Sequence, residues 1–230
     1  MASKDRSGGK EHLPLKVWDL PVRLFHWCLV VLIIAAWLTA EYSEMEWHAR
    51  IGQAILTLIV FRIFWGIFGS QTAQFWNFVK GTFAVIAYAK SLVTGKDAPT
   101  MGHNPLGACM IVGFLVLISA QAVFGLFAND DIFFEGPLFH LVDKETSDSL
   151  TGLHHLVFNL ILICAAIHIA AALFYLIFKR DNLIGPMITG TRWWPAPLPQ
   201  LRRTPNVVAL VLLAGAAALV WAAVTSFKKA

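Results

Sequence analysis

A run of about 25 nearly uncharged residues in the last third of the sequence constrains the fold most. It lies within LTGLHHLVFNLILICAAIHIAAALFYLIFKR, residues 150–180, and ends at Lys179 and Arg180. A helix of this length crosses about 30 Å of hydrocarbon, and basic residues at its end are typical of a cytoplasmic edge. The run therefore predicts a membrane-spanning helix.

This predicted helix contains histidines, which are costly inside a membrane and therefore indicate function. His154 and His168 are 14 residues apart, from 168 − 154. At about 100° and 1.5 Å per residue they share one helix face and lie about 21 Å apart. His155 is one residue out of this register and points away from the face of His168. One helix thus offers two ligands at two membrane depths.

Four further apolar segments have a similar length, at roughly 22–40, 47–68, 105–128 and 206–226. With 57% hydrophobic and 14% charged residues, the chain has more apolar surface than a soluble domain could cover. We predict an all-α integral membrane four-helix bundle with an additional C-terminal transmembrane helix outside it. We divide the chain into a mobile cytoplasmic tail (1–14), the four-helix domain (15–190), and a Pro-rich connector with the fifth helix (191–230). No cleavage site follows the first segment, so we expect no removable signal peptide.

The loop charges predict the orientation. Most Lys and Arg residues fall on one side if the N-terminus is cytoplasmic and the C-terminus periplasmic, as in a bacterial inner membrane. The opposite side then carries the acids Glu41, Glu44, Glu46, Asp130, Asp131, Glu135, Asp143, Glu145 and Asp148. The excess of basic residues therefore indicates how the chain is oriented in the membrane. We expect membrane lipid as a partner and no nucleic acid.

Two connecting segments are amphipathic. Residues 71–96 are too polar to span and predict an interfacial helix on the cytoplasmic face. Residues 129–149 mix phenylalanines with acids and predict a re-entrant or surface segment over the periplasmic end. We expect His103 to be a loop cap or hydrogen-bond donor and His140 to be a surface residue.

The histidines in or beside the spans sort by depth into two pairs. His48 and His154 form an outer tier, and His26 and His168 form an inner tier. Two imidazoles from facing helices suit the axial ligands of haem iron, so the pattern predicts two non-covalent bis-His haems b. The alternatives are hydrogen-bonding histidines between helices, or a metal such as zinc, which needs three or four ligands at one depth. Because His26 lies near Pro21 while His168 is 11 residues from Lys179, either the first span begins earlier or the fourth protrudes.

Arg62 lies 14 residues after His48, which places it on the face of that histidine and one tier deeper. One interpretation is that it snorkels to the inner interface. The other is that it is a cation held for a buried anionic group of the inner tier.

Four motifs together resemble the bacterial cytochrome b561 family, which includes the b-type cytochrome subunits of nickel-iron hydrogenases. They are VWDLPVRLFHW, WHARIG, GHNPLGA and the HH…H pattern of the fourth span, within about residues 15–190. The resemblance implies that His26 and His168 bind an inner haem b, that His48 and His154 bind an outer one, and that a quinone is one redox partner. Arg62, Arg23 and Arg50 are candidates for pairing with the haem propionates.

The expected function is electron transfer across the inner membrane between a periplasmic redox partner, such as a cytochrome c, and the quinone pool. The acidic outer loops would suit a basic soluble carrier. A superoxide:quinone oxidoreductase and an electron-transfer anchor subunit of a larger dehydrogenase or hydrogenase complex are alternatives. A non-redox alternative is a haem-free membrane anchor, or a transporter whose histidines form a proton path.

Overall fold

The structure, a computed structural model, describes residues 3–4, 11–95 and 100–227. In chain order its elements are β1 (Ser3–Lys4), β2 (Glu11–Lys16), α1 (Leu20–Glu41), α2 (Met45–Phe68), α3 (Phe75–Phe78), α4 (Thr82–Val93), α5 (Pro105–Phe127), a 3-10 turn (Phe139–Leu141), α6 (Lys144–Ile177), α7 (Ile184–Thr189), β3 (Thr191–Pro195) and α8 (Asn206–Thr225).

Five helices of the described residues are long and apolar enough to cross a membrane: α1, α2, α5, α6 and α8. They match the five predicted segments and confirm an all-α multi-pass membrane protein. Close packing joins α5 to α6, α1 to α2, and α2 to both α5 and α8. Helices α1, α2, α5 and α6 form the bundle, and α8 adds to the outside of α2.

Side-chain caps set three of the helix starts. Asp19 accepts a hydrogen bond from Val22 N at 2.9 Å, and Asn104 accepts one from Gly107 N at 2.7 Å. Proline follows each of these caps in the first helical turn, where its missing N–H costs nothing. Asp143 likewise accepts from Thr146 N at 2.7 Å and starts α6 at Lys144, several residues before the predicted apolar span. Apolar composition marks only the part of a helix that lies in the bilayer. It therefore missed the first two turns of α6, which are polar.

The bounds of α1 and α6 bear on the depth difference between His26 and His168. Helix α1 starts at Leu20, six residues before His26, whereas α6 continues nine residues past His168 to Ile177. At about 1.5 Å per residue, α6 reaches roughly 4–5 Å further than the start of α1. Helix α1 begins one residue before Pro21, so the two helix ends differ by less than one turn relative to the inner histidines, and both alternatives stay predictions.

A small antiparallel sheet covers the end of the bundle where α1 starts, here called the N-terminal face. Strand β2 pairs with β3, so that Leu13 lies opposite Trp194 and Leu15 opposite Arg192. Of the tail predicted at 1–14, the last residues belong to β2, and residues 1, 2 and 5–10 lie outside the described part. The prolines of both segments concealed the strands from sequence analysis, although the aromatic residues of β3 favour extended structure.

The two amphipathic segments are short helices and turns. Residues 71–95 contain α3 and α4, and α4 leaves Phe83 90% exposed and Val93 89% exposed. Such exposed apolar side chains suit contact with lipid. The predicted outer segment contains the 3-10 turn and a bridge between Asn129 and Glu135, and its end belongs to α6. Phe133 is 97% exposed there. Lys96 of the first segment lies outside the described residues.

Candidate functional site: two histidine pairs in the membrane bundle

The outer tier brings His48 of α2 and His154 of α6 together, with ring centres 5.9 Å apart. The Nδ1 of His48 lies 2.8 Å from the carbonyl oxygen of Ala36, and the Nδ1 of His154 lies 2.9 Å from that of Gln121. A carbonyl accepts only, so each Nδ1 carries the proton and each Nε2 keeps its lone pair. Both rings are therefore held in the tautomer that a metal ligand needs.

Two residues of α5 fit closely around His154. The Gln121 Nε2 lies 3.1 Å from the His154 Nε2, so the side-chain amide occupies the free ligand position. A Cβ on Gly125 would lie 3.0 Å from the His154 Cε1, so a side chain there would crowd the imidazole. Neither residue was assigned to the site from the sequence.

The inner tier brings His26 of α1 and His168 of α6 together, with ring centres 6.4 Å apart. The ring of Phe114 on α5 meets the His168 ring edge to face at 5.9 Å. The buried Nδ1 of His26 has no hydrogen-bond partner among the described residues. Unlike the outer pair, this pair is not fully oriented by carbonyls.

An aliphatic layer separates the two tiers. Val157 and Ile161 lie between His154 and His168 along α6, and they pack with Ile55 and Ile59 of α2 and with Ile118 of α5. These residues are among the most buried in the protein. The layer is an apolar contact that joins α2, α5 and α6 between the two tiers.

The spacing within each pair suits one iron atom between two imidazoles. Because metal–imidazole bonds are about 2 Å long, a metal between two rings sets their centres roughly 6 Å apart. In the described part of the chain, no group of three or more His, Cys, Asp or Glu side chains could hold a metal ion. The donor set in each tier is thus two imidazoles, which fits a haem, whose macrocycle supplies the other ligands.

Arg62 of α2 lies beside the inner tier and is only 3% exposed. Its guanidinium carbon lies 5.1 Å from the centre of the Phe75 ring, and its Nη1 has no hydrogen-bond partner among the described residues. The charge of Asp19 acts favourably on Arg62, but the two form no ion pair; the Asp19 oxygens accept from Val22 N and from Trp65 Nε1, the latter at 3.0 Å. The cation is therefore buried with an unused donor, and the snorkelling interpretation of Arg62 is wrong.

His103 is the site residue that sequence analysis underestimated. Its ring packs against those of Trp18 at 4.4 Å and Phe78 at 5.0 Å, and its buried Nδ1 has no partner among the described residues. Burial, reinforced by the nearby Arg62 cation, lowers the pKa of His103 to about 3, so the ring is neutral. The GHNPLGA motif signalled this position, but only the fold places it beside Arg62.

The two other arginine candidates, Arg50 and Arg23, contact groups outside the histidine pairs. Arg50 is exposed, 3.7 Å from Glu46 and over the ring of Trp47. Arg23 donates from Nη1 to the Thr189 carbonyl at 3.1 Å, on the N-terminal face. Their pairing with propionates stays a prediction.

The comparisons with known proteins agree with this arrangement. The family model described as prokaryotic cytochrome b561 matches residues 17–190. The chain is 25% identical over 228 residues to a probable Ni/Fe-hydrogenase B-type cytochrome subunit of Bradyrhizobium diazoefficiens, which covers 83% of this chain and 90% of the relative. It is 25% identical over 217 residues to a protein of the same description from Rhizobium leguminosarum bv. viciae, which covers 79% of this chain and 90% of the relative. No solved structure matches the chain significantly. Since the family match extends over most of the sequence and includes all four paired histidines, the chain belongs to the prokaryotic cytochrome b561 family.

Proposed function

We propose that this protein is a di-haem cytochrome b that carries electrons across the bacterial inner membrane between a periplasmic redox partner and the quinone pool. His26 and His168 hold the inner haem b, and His48 and His154 hold the outer one. The observation that carries the proposal is the presence of two imidazole pairs, each with ring centres about 6 Å apart, at two depths of one bundle. Haem supplies reversible one-electron chemistry when bound, and the protein tunes its potential.

The unused donors near the inner tier support binding of an anionic group there. Arg62 offers a buried guanidinium N–H, and His103 offers a neutral ring nitrogen, each without a partner among the described residues. A buried cation without a paired anion is costly. A haem propionate is such an anion, and its oxygens would accept hydrogen bonds from Arg62 and from a protonated Nδ1 of His103.

The negative charge of the outer loops supports a basic redox partner on the periplasmic side. With the N-terminus cytoplasmic, the outer tier lies near the periplasm, below loops whose acids are mostly exposed. Lys144 pairs with Asp131 and Asp148, and Arg50 pairs with Glu46, which leaves six of the nine outer acids (9 − 3) to form a negative rim. Such a rim steers a basic carrier, such as a cytochrome c, toward the outer tier.

Purified protein tests the cofactor directly. We expect a reduced-minus-oxidised visible spectrum of b-type haem and a pyridine haemochrome ratio of two haems per chain. His48→Ala or His26→Ala is expected to leave one haem. His155→Ala is the matched control, since His155 is exposed on α6 beside His154. Well-folded protein without haem would contradict the proposal and favour the haem-free anchor or the proton path.

The redox partners need a separate test. We expect a soluble quinol analogue to reduce the haems of the wild-type protein, and a basic cytochrome c to reoxidise them with a rate that falls as salt concentration rises. Haems that neither a quinol reduces nor a quinone oxidises would contradict the quinone assignment while leaving the di-haem assignment intact.

A second candidate function is an electron-transfer subunit of a larger complex. It is favoured because both relatives described above are named as hydrogenase cytochrome subunits and are covered over 90% of their length. Affinity purification of the full chain from its native membrane distinguishes the subunit function from the stand-alone function. A stoichiometric enzyme partner supports the subunit function, and an isolated active cytochrome supports the stand-alone function.

A further inference from the structure

A cavity of about 390 Å³ opens on the N-terminal face, and its lining contains none of the paired histidines. It lies where two membrane helices begin, since Leu20 of α1 and Asn206 of α8 both line it. The headgroup layer of a bilayer lies at the ends of spanning helices. The cavity is therefore at the depth of lipid headgroups.

Three cations from three separate segments line this cavity: Lys16 of β2, Arg23 of α1 and Arg203 of the connector. None of them has a carboxylate within ion-pair distance among the described residues. Arg203 donates from Nη2 to the Lys16 carbonyl at 2.6 Å, which ties the connector to β2. The buried Nε of Arg23 has no hydrogen-bond partner there. The lining thus carries positive charge that no ion pair within the described residues balances.

The rest of the lining adds to the positive potential. The 20-residue helix α8 starts at the cavity without a side-chain cap. Val208 N donates to the Pro205 carbonyl at 3.0 Å, which leaves the N–H groups of Asn206 and Val207 and the positive end of the helix dipole available. The acid in the lining, Asp19, uses both oxygens to accept from Val22 N and Trp65 Nε1. It forms no ion pair with the three cations among the described residues, and its single negative charge leaves the lining with a formal charge of 3 − 1 = +2.

Gly190 forms part of the cavity wall. Its φ of 84° ends α7 in the left-handed region, and its carbonyl accepts from Val17 N at 2.9 Å and Trp18 N at 3.1 Å. A Cβ there would lie 2.7 Å from the Arg23 Nη1. The close approach of this backbone holds the Arg23 guanidinium in the cavity wall.

We propose that this cavity binds the phosphate group of an anionic phospholipid. Arginines, helix N-termini and basic pockets between membrane helices recognise phosphate. A free phosphate ion shares that chemistry, but the depth of the cavity and its apolar rim favour a lipid. Leu20 in the lining is 43% exposed, and Val207, directly after Asn206, is 62% exposed, so acyl chains can lie along α1 and α8. This proposal uses none of the paired histidines, and it assigns Arg23, one of the three arginine candidates for the haem propionates, to the lipid phosphate instead.

The test measures thermal unfolding of the purified full chain in a neutral detergent, by tryptophan fluorescence. Phosphatidylglycerol, phosphatidylcholine and inorganic phosphate are titrated separately. The test variant is Lys16→Gln/Arg203→Gln, and the matched control is Lys90→Gln/Arg202→Gln, which removes the same charge from two exposed residues outside the cavity lining.

We expect phosphatidylglycerol to raise the unfolding temperature and phosphatidylcholine to leave it nearly unchanged. The apparent affinity for phosphatidylglycerol is expected to fall roughly tenfold or more in the test variant and less than about twofold in the control. Equal losses in both variants, or equal effects of the two lipids, would overturn the site. An equal shift with inorganic phosphate alone would overturn the lipid as its ligand.

Native mass spectrometry provides a second measurement should the double variant unfold. Wild-type protein is expected to retain one anionic phospholipid, and Lys16→Gln to retain less of it than Lys90→Gln does. Equal retention by the two single variants would overturn the proposal.

Discussion

The carbonyls of Ala36 and Gln121 distinguish the two tiers at the scale of single residues. They fix the tautomers of His48 and His154 before any metal binds. His26 has no such partner for its Nδ1 among the described residues. The outer pair is therefore the better pre-organised of the two.

Gly125 provides a residue-scale test of the outer site. Gly125→Val places carbon atoms within about 3 Å of the His154 ring, so we expect the imidazole to move and the haem content to fall from two per chain toward one. The control is Gly113→Val on the same helix, where a Cβ would meet nothing within 4 Å. A pyridine haemochrome assay measures both, and an equal loss in the control would point to a general effect on α5.

Arg62 provides a test of the inner site. A buried cation stabilises the reduced and more negative state of a nearby redox centre. We expect Arg62→Met to lower the midpoint potential of one haem and to leave the other nearly unchanged. The exposed Arg50 gives the control Arg50→Met. Spectroelectrochemical titration measures the potentials, and identical titrations of both variants would contradict a role for Arg62 at the inner haem.

The outer loop shows how an element is stabilised where no apolar core is available. Asp130 Oδ1 accepts hydrogen bonds from the backbone N–H groups of Phe134, Ile132 and Phe133, at 2.8–2.9 Å. The bonds to Phe134 and Ile132 contribute most to lowering the pKa of Asp130 below its ordinary value of 3.8. A carboxylate with a lowered pKa stabilises the loop fully above pH 3.8, and this contribution is lost as the pH falls through the folded pKa.

Hydrogen exchange tests this loop. At neutral pH, Asp130→Ala is expected to speed exchange of the amides of residues 132–134, and the wild-type loop is expected to loosen only in strong acid. Glu135→Ala removes an exposed carboxylate from the same loop and serves as the control. Unchanged protection in Asp130→Ala would mean that other contacts hold the loop.

At the scale of the whole molecule, α8 is attached to the bundle through α2. Ala216 is 0% exposed and packs in a cluster that includes Phe61 and Trp65 of α2. This contact places the connector and α8 next to the helix that carries His48 and Arg62. The fifth helix is thus a structural neighbour of the site-bearing helix, although it lies outside the family match.

Ala216→Leu tests that attachment. The extra carbons overpack the contact between α2 and α8, and we expect a loss of about 1–3 kcal/mol in the free energy of unfolding. The neighbouring Ala217 is exposed, so Ala217→Leu makes the same change without a packing partner. Thermal unfolding in detergent compares the two variants. Similar stability would show that α8 is only loosely docked.

The sequence by itself determined the five membrane helices and the sharing of one face by His154 and His168. Apolar length and helical periodicity are local properties, which composition and spacing reveal directly. The start of α6 and the strands of the N-terminal face depend on capping and on pairing between distant segments, so they were missed or misplaced. Only the tertiary structure decided that Arg62 is buried, that His103 lies beside it, and that Gln121 and Gly125 hold His154. Those roles depend on contacts between residues far apart in the chain, which no local pattern encodes.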